Sequence, residues 1–89
     1  MFRVATRGFS QEFGRWTDAL NTAKSLQPKL KSLLQDIRIF DGKDLVWVYD
    51  RLHVHPQYIG PGTYKRLALL FLQEAMEEEA ALRKDNDDA

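Results

Sequence analysis

The sequence predicts a small α+β fold in the order β-α-β-β-α, with a three-stranded, mainly antiparallel sheet packed against two helices. Three observations predict it. Two β-rich segments flank the Asp41-Gly42 pair, apolar residues recur at helical spacing between residues 16 and 26, and a long helix-forming segment follows Gly62. This order of elements is typical of an antiparallel sheet whose helices lie over one face or one end.

The first strand is predicted at residues 2–6, where apolar and polar residues alternate. The segment from Gly8 to Gly14 contains two phenylalanines and is interpreted as a loop. A helix over residues 17–27 follows, with Thr17 favoured over Ser10 as its N-cap, because serine and threonine both accept a hydrogen bond well at that position. One helical stripe then holds the apolar residues Trp16, Ala19, Leu20, Ala23 and Leu26.

Pro28 limits this first helix. A proline inside a helix removes a hydrogen bond, whereas a proline in the first turn removes none. We therefore expect a second short helix over residues 28–35, and a single helix kinked at Pro28 is the alternative. The leucines expected to point inward from this segment are Leu30, Leu33 and Leu34.

The hairpin around Asp41-Gly42 is the clearest pattern in the sequence. Asp-Gly favours a type I′ turn, in which both central residues have positive φ. A longer connection from Asp41 to Asp44, with Gly42 in the left-handed region, is the alternative. The strand from Leu45 to Tyr49 is apolar on both faces, so it is predicted to be central in the sheet or to have its second face covered.

A loop over residues 50–62 leads to a long helix that begins at Thr63 or Pro61 and continues to about Lys84. At 1.5 Å per residue, this helix is roughly 33–36 Å long. The chain is thus predicted to form one domain at residues 1–84, followed by an acidic, frayed tail at residues 85–89.

The composition restricts the class of protein. The 89 residues include no cysteine, which excludes disulfides and thiolate metal sites and is compatible with a reducing cytoplasm. No apolar run approaches the roughly 20 residues of a membrane span. We therefore expect a soluble cytoplasmic protein that does not enter membranes.

Catalysis and metal binding are not predicted. The sequence has no Ser-His-Asp pattern and no glycine-rich nucleotide motif, so we expect a non-enzymatic protein without catalytic residues or a cofactor. His53 and His55 are spaced as a metal-ligand pair but have no third good ligand nearby in the sequence. No metal site is therefore predicted.

The long helix carries the leading functional hypothesis. Between residues 64 and 76 it is apolar over more than half its circumference, whereas a surface helix needs a stripe only a little over 100° wide. A domain this short buries only about 60–65% of its unfolded surface. The sequence therefore predicts a protein-binding, regulatory module that forms a homodimer or docks on a larger assembly. The residues predicted to make this contact are Tyr64, Leu67, Leu69, Leu70, Phe71 and Met76.

Two alternatives follow from the charge distribution, because residues 1–66 carry five excess positive charges and residues 67–89 five excess negative ones. The first is a small inhibitor, for example from a mobile element, that blocks a nucleic-acid-binding protein with an acidic helix. Its residues would be Glu74, Glu77, Glu78 and Glu79.

The second alternative is a nucleic-acid-binding module that uses a basic sheet face with aromatic residues for stacking. Its residues would be Arg3, Arg7, Arg38, Lys43 and Arg51.

Overall fold

The computed structural model describes residues 1–87 and contains one antiparallel sheet and two helices. The predicted α+β class, the antiparallel sheet and the long C-terminal helix are confirmed. A single 3₁₀ turn, Gln27–Lys29, follows the first helix. The elements are β1 Phe2–Thr6, β2 Phe9–Phe13, α1 Trp16–Leu26, β3 Asp36–Asp41, β4 Asp44–Asp50, β5 Gln57–Tyr58 and α2 Thr63–Asp87.

The sheet has five strands in the order β2-β1-β3-β4-β5, so the predicted three-stranded sheet in a β-α-β-β-α order was wrong in detail. Strand β2 occupies the segment predicted as a loop between Gly8 and Gly14. Thr6 pairs with Phe9, and Gly8 turns the chain between them with a φ of 78°. Strand β5 adds two residues to the outer side of β4.

The β3–β4 turn differs from the predicted type I′ turn. Asp41 pairs with Asp44, so the central residues are Gly42 and Lys43, and only Gly42 has a positive φ, at 61°. Gly42 is therefore in the left-handed region, as the alternative predicted, although the turn has two central residues and is not longer than a type I′ turn. A register shift follows the turn and leaves Val46 without a partner on β3. This bulge lets two consecutive β4 residues, Val46 and its neighbour Trp47, both be buried.

The core lies on one face of the sheet. Helix α1 covers this face, and its alanines let the helix backbone approach the strands closely. Leu67 of α2 completes the core from the side. The sheet contributes Phe2, Val4, Ile37, Ile39 and Trp47, and α1 contributes Trp16, Ala19, Leu20 and Ala23.

In the connection from α1 to β3, the leucines do not all point inward as predicted. Pro28 lies in the short 3₁₀ turn Gln27–Lys29, and Leu30 packs against the core. Leu33 and Leu34, however, are 53% and 93% exposed. The helical turn ends at Lys29 and the chain beyond it is closed by the Gln35 side chain, whose Oε1 accepts the backbone N–H groups of two residues in the loop. No second short helix forms over residues 28–35 to turn these leucines inward.

The helix ends are close to their predicted positions. Helix α1 begins at Trp16 with Arg15 as its N-cap, so Thr17 is not the cap. Helix α2 begins at Thr63, as predicted, and continues to Asp87, three residues past the predicted end. Of the predicted acidic tail at residues 85–89, the last two residues lie outside the described part of the chain.

Candidate protein-interaction surface

One side of α2 fastens the helix to the rest of the domain. Thr63, Leu67 and Glu74 are buried, and Leu70 is partly buried against the core. These positions are separated by four, three and four residues, which places them on one stripe of a helix with 3.6 residues per turn. We call these four residues the anchoring stripe. Every described side chain after Glu74, from Ala75 to Arg83, is exposed.

Glu74 fixes the two helices to each other. Its Oε1 accepts the backbone N–H of Thr17 at 2.8 Å, and its Oε2 accepts that of Trp16 at 3.0 Å. Arg15 Nη2 also donates to the Glu74 carbonyl oxygen at 3.2 Å. The first N–H groups of a helix have no partner within the helix, and a carboxylate there is also stabilised by the helix dipole. Glu74 thus acts as the N-cap side chain of α1 from the other helix.

A series of aromatic contacts holds the start of α2. The ring of Trp16 lies 5.5 Å from that of Phe2 and 6.4 Å from that of Tyr58, between ring centroids. Tyr58 in turn meets Tyr64 edge to face at 5.0 Å. Burial raises the pKa of the Tyr58 hydroxyl above its usual 10.0, and the neighbouring Tyr64 adds to this shift. The sheet, α1 and α2 are therefore joined by one aromatic cluster.

The side of α2 opposite the anchoring stripe is apolar and exposed. Leu69 and Leu72 are each 58% exposed and Met76 is 69% exposed. We call these three residues the outer face. Next to it, Tyr64 and Phe71 line an open apolar groove of about 330 Å³ that α2 forms with Trp16 and Leu20 of α1. In the part of the chain that the structure describes, the helix therefore presents a continuous apolar surface that is left exposed.

The predicted contact residues fall into two groups. Tyr64, Leu69, Phe71 and Met76 are exposed, whereas Leu67 is completely buried and Leu70 is partly buried. Leu72 was not among the predicted contact residues, yet it lies in the middle of the outer face. Helical spacing shows that a helix is apolar on several sides, but it does not show which side meets the sheet.

The four predicted acidic residues do not share one surface. Glu74 is buried at the start of α1, as described above. Glu77, Glu78 and Glu79 are exposed but consecutive, so they project about 100° apart around the helix. Their three carboxylates are therefore spread around the helix axis. The carboxylate of Glu79 also forms an ion pair with Arg83 at 2.9 Å.

The predicted basic residues are also dispersed. Arg3 and Arg38 lie on the sheet face opposite the core, where the Arg3 guanidinium carbon lies 4.5 Å from the centre of the Phe40 ring. Arg38 forms an ion pair with Asp36 at 3.0 Å.

The three remaining basic residues lie in connections between strands. Arg7 and Lys43 lie in turns at opposite ends of the sheet. Arg51 follows β4 and donates to the Lys31 carbonyl oxygen.

The two histidines lie in the exposed loop between β4 and β5. His53 Nδ1 is 2.6 Å from Asp50 Oδ1. Among residues that the structure describes, no group of three histidine, cysteine or carboxylate side chains is arranged to hold a metal ion. The His53 side chain therefore joins the loop to the end of β4 through a contact with Asp50.

Replacing His53 with alanine should raise the pKa of Asp50 towards 3.8. The hydrogen bond from His53 holds that pKa below 3.8 in the folded chain. A carboxyl group whose folded pKa is depressed stabilises the fold at pH values above its unfolded pKa, and this contribution is lost as the pH falls through the folded pKa. NMR titration of the Asp50 carboxyl carbon measures the shift.

His55→Ala is the matched control, because His55 is exposed in the same loop and the Asp50 pKa shift arises from His53. It should leave the Asp50 titration where it is in the unaltered chain. If His53→Ala gives the same Asp50 pKa as His55→Ala, the hydrogen bond is not the cause of the shift.

Neither helix, within the described residues, has an apolar stretch long enough to cross a lipid bilayer. Comparisons of the chain with models of protein families, with curated proteins and with solved structures found no match.

Proposed function

We propose that this chain is a non-enzymatic protein-binding module, and that its binding surface is the outer face of α2. One observation carries the proposal: Leu69, Leu72 and Met76 are each more than half exposed and adjoin one another on a helix whose opposite side is buried as far as Glu74. Isolated exposed leucines are ordinary, but a continuous apolar patch on a small domain is typical of an interaction site.

The way α2 is held supports this role. The anchoring stripe and the Glu74 cap fix the helix before any partner arrives, so binding would not have to order it. An apolar helix face that enters a groove or packs on another helix is a common form of protein recognition. Met76 has an unbranched, polarisable side chain that adapts to an irregular partner surface. The helix is therefore suited to binding a partner as an element that is already folded.

The regulatory part of the proposal follows from the exposed surface of α2 and from the lack of a catalytic pattern in the sequence. The exposed surface of α2 is suited to contact with a second macromolecule, and the sequence contains no recognised catalytic pattern. A module of this kind acts by bringing a second protein into position or by blocking it. We place this activity in the cytoplasm, which the cysteine-free sequence favours.

The two alternative functions receive less support from the geometry. An acidic inhibitor needs carboxylates on one surface, but Glu74 is engaged by α1 and the other three point in different directions. A nucleic-acid binder needs free aromatic faces beside its cations. Phe40 is already covered by Arg3, and Arg38 is paired with Asp36.

Site-specific photocrosslinking tests the proposed surface. A photoreactive amino acid in place of Leu72 should give a discrete crosslinked product in cells of the native host, because position 72 lies in the middle of the outer face. The same amino acid in place of Asn21, which is exposed on α1, is the control and should give none. Mass spectrometry of the product identifies the second chain.

The outcomes decide the proposal. A product at position 72 and none at position 21 supports it, whichever protein is captured. No product at positions 69, 72 and 76, from a chain that folds normally by circular dichroism, would show that the outer face does not bind protein.

A further inference from the structure

We infer that the partner on the outer face is a second copy of this chain, with the two α2 helices packed antiparallel about a two-fold axis near Leu72. The inference rests on the proposed function, since it names the partner of the same surface. It depends on three features: the spacing of the outer-face residues, the charges at both ends of that spacing, and the shape of the surface beside it.

The outer face continues into a seam with heptad spacing. Lys65 precedes it by four residues and Glu79 follows it by three, so the seam Lys65-Leu69-Leu72-Met76-Glu79 has intervals of four, three, four and three. Apolar residues at this spacing are what two helices use to pack side by side. Leu72 lies about 200° around the helix from Glu74, which is buried against α1. Residues 1–83 therefore leave this side of the helix open to a second helix.

The charges at the two ends of the seam select the antiparallel arrangement. Lys65 lies seven residues before Leu72, and Glu79 lies seven residues after it. In an antiparallel pair centred on Leu72, Lys65 of each copy lies level with Glu79 of the other. In a parallel pair, lysine would face lysine and glutamate would face glutamate, which is unfavourable.

The apolar residues fit the same symmetry. The same axis at Leu72 brings the two Leu72 side chains together and places Leu69 of one copy level with Ala75 of the other, one residue before Met76. Shallow, open grooves lie between the side chains on this side of α2 and share Leu69 and Gln73. In an antiparallel pair, the side chains of one copy can pack between those of the other.

Sedimentation velocity over a concentration series gives the first test. The mass should rise from 10.4 kDa towards twice that value as concentration increases. Leu72→Glu should weaken the association roughly 100-fold, because it brings two carboxylates together at the axis. Its melting curve at low concentration should match that of the unaltered chain, because Leu72 is exposed within the single chain.

Disulfide trapping shows whether the two helices are parallel or antiparallel. Because the sequence has no cysteine, only the introduced cysteines can crosslink. Leu72→Cys should crosslink to itself on mild oxidation. Lys65→Cys and Glu79→Cys should each form no disulfide-linked dimer alone but should crosslink to one another when mixed. A parallel pair would instead crosslink each variant to itself. Asn21→Cys, which lies on α1, should not crosslink in any combination.

The outcomes separate this inference from the proposed function. A chain that stays at 10.4 kDa at millimolar concentration, or self-crosslinking of Lys65→Cys, overturns the antiparallel dimer. In that case, a photocrosslinked product at position 72 that contains a different protein still supports the outer face as a binding surface. If neither dimer nor product is found, both proposals fail.

Discussion

Replacing Glu74 with alanine is expected to lower the free energy of unfolding by about 2 to 4 kcal/mol. The carboxylate is buried and accepts two backbone N–H groups at the start of α1, and alanine would leave both donors without this partner. A buried donor that loses its partner costs about 1 to 3 kcal/mol, and a lost N-cap about 0.5 to 2 kcal/mol. Urea unfolding followed by circular dichroism measures the change.

Glu77→Ala is the matched control, because Glu77 is exposed on the same helix one turn later. It should change stability by no more than about 0.5 kcal/mol. Glu74→Gln keeps one oxygen acceptor but loses the charge and the second acceptor, so it should fall between the two. An equal, small effect of Glu74→Ala and Glu77→Ala would contradict the capping role.

Hydrogen exchange distinguishes the local effect of losing the Glu74 cap from a general loss of stability. In Glu74→Ala, the amides of Trp16 and Thr17 should exchange faster than expected from the global change alone, because these are the two groups that Glu74 binds. The amides of β1 and β3, which pair in the middle of the sheet, should follow the global change. This comparison assigns the effect to the junction between the helices.

The elements that the sequence predicted well are those whose pattern is local. Strand β1 lies where apolar and polar residues alternate, and the stripe from Trp16 to Ala23 is buried as its spacing predicts. Helix α2 begins at Thr63, directly after the Gly60-Pro61-Gly62 segment. In each case, neighbouring residues along the chain contain the whole signal.

The features that the sequence did not predict depend on contacts between distant residues. Glu74 caps an N–H group 58 residues away in the chain, and no local motif marks it. Strand β2 has three exposed polar residues in its middle, so its sequence resembles a loop until pairing with β1 defines it. Strand β5 has only two residues, which is too short for any periodicity to be visible.

The proposed interaction surface was also predicted only in part. The apolar excess on α2 was visible in the sequence, and exposed side chains such as Leu69 and Met76 were among the predicted residues. Which apolar stripe is buried depends on where α1 and the sheet lie. Leu67 enters the core while Leu72 stays exposed, although both are leucines on the same helix. Residue type alone does not distinguish them.

Replacing Trp16 with alanine is expected to have the largest effect of any single substitution considered, a loss of about 3 to 5 kcal/mol. The side chain is 1% exposed and contacts the rings of Phe2 and Tyr58. Removing it would leave a cavity where the sheet, α1 and α2 meet. Since small domains are stable by only about 5 to 15 kcal/mol, this variant should unfold at a much lower urea concentration.

Two further variants separate the role of this ring from that of any large apolar side chain. Trp16→Phe keeps an aromatic ring and should cost less than Trp16→Ala, and Trp47 remains as a fluorescent reporter. Leu34→Ala should change stability by no more than about 0.5 kcal/mol, because Leu34 is 93% exposed although its sequence context predicted burial. A loss at Leu34 that equals the loss at Trp16 would mean that the segment after α1 packs inward in solution.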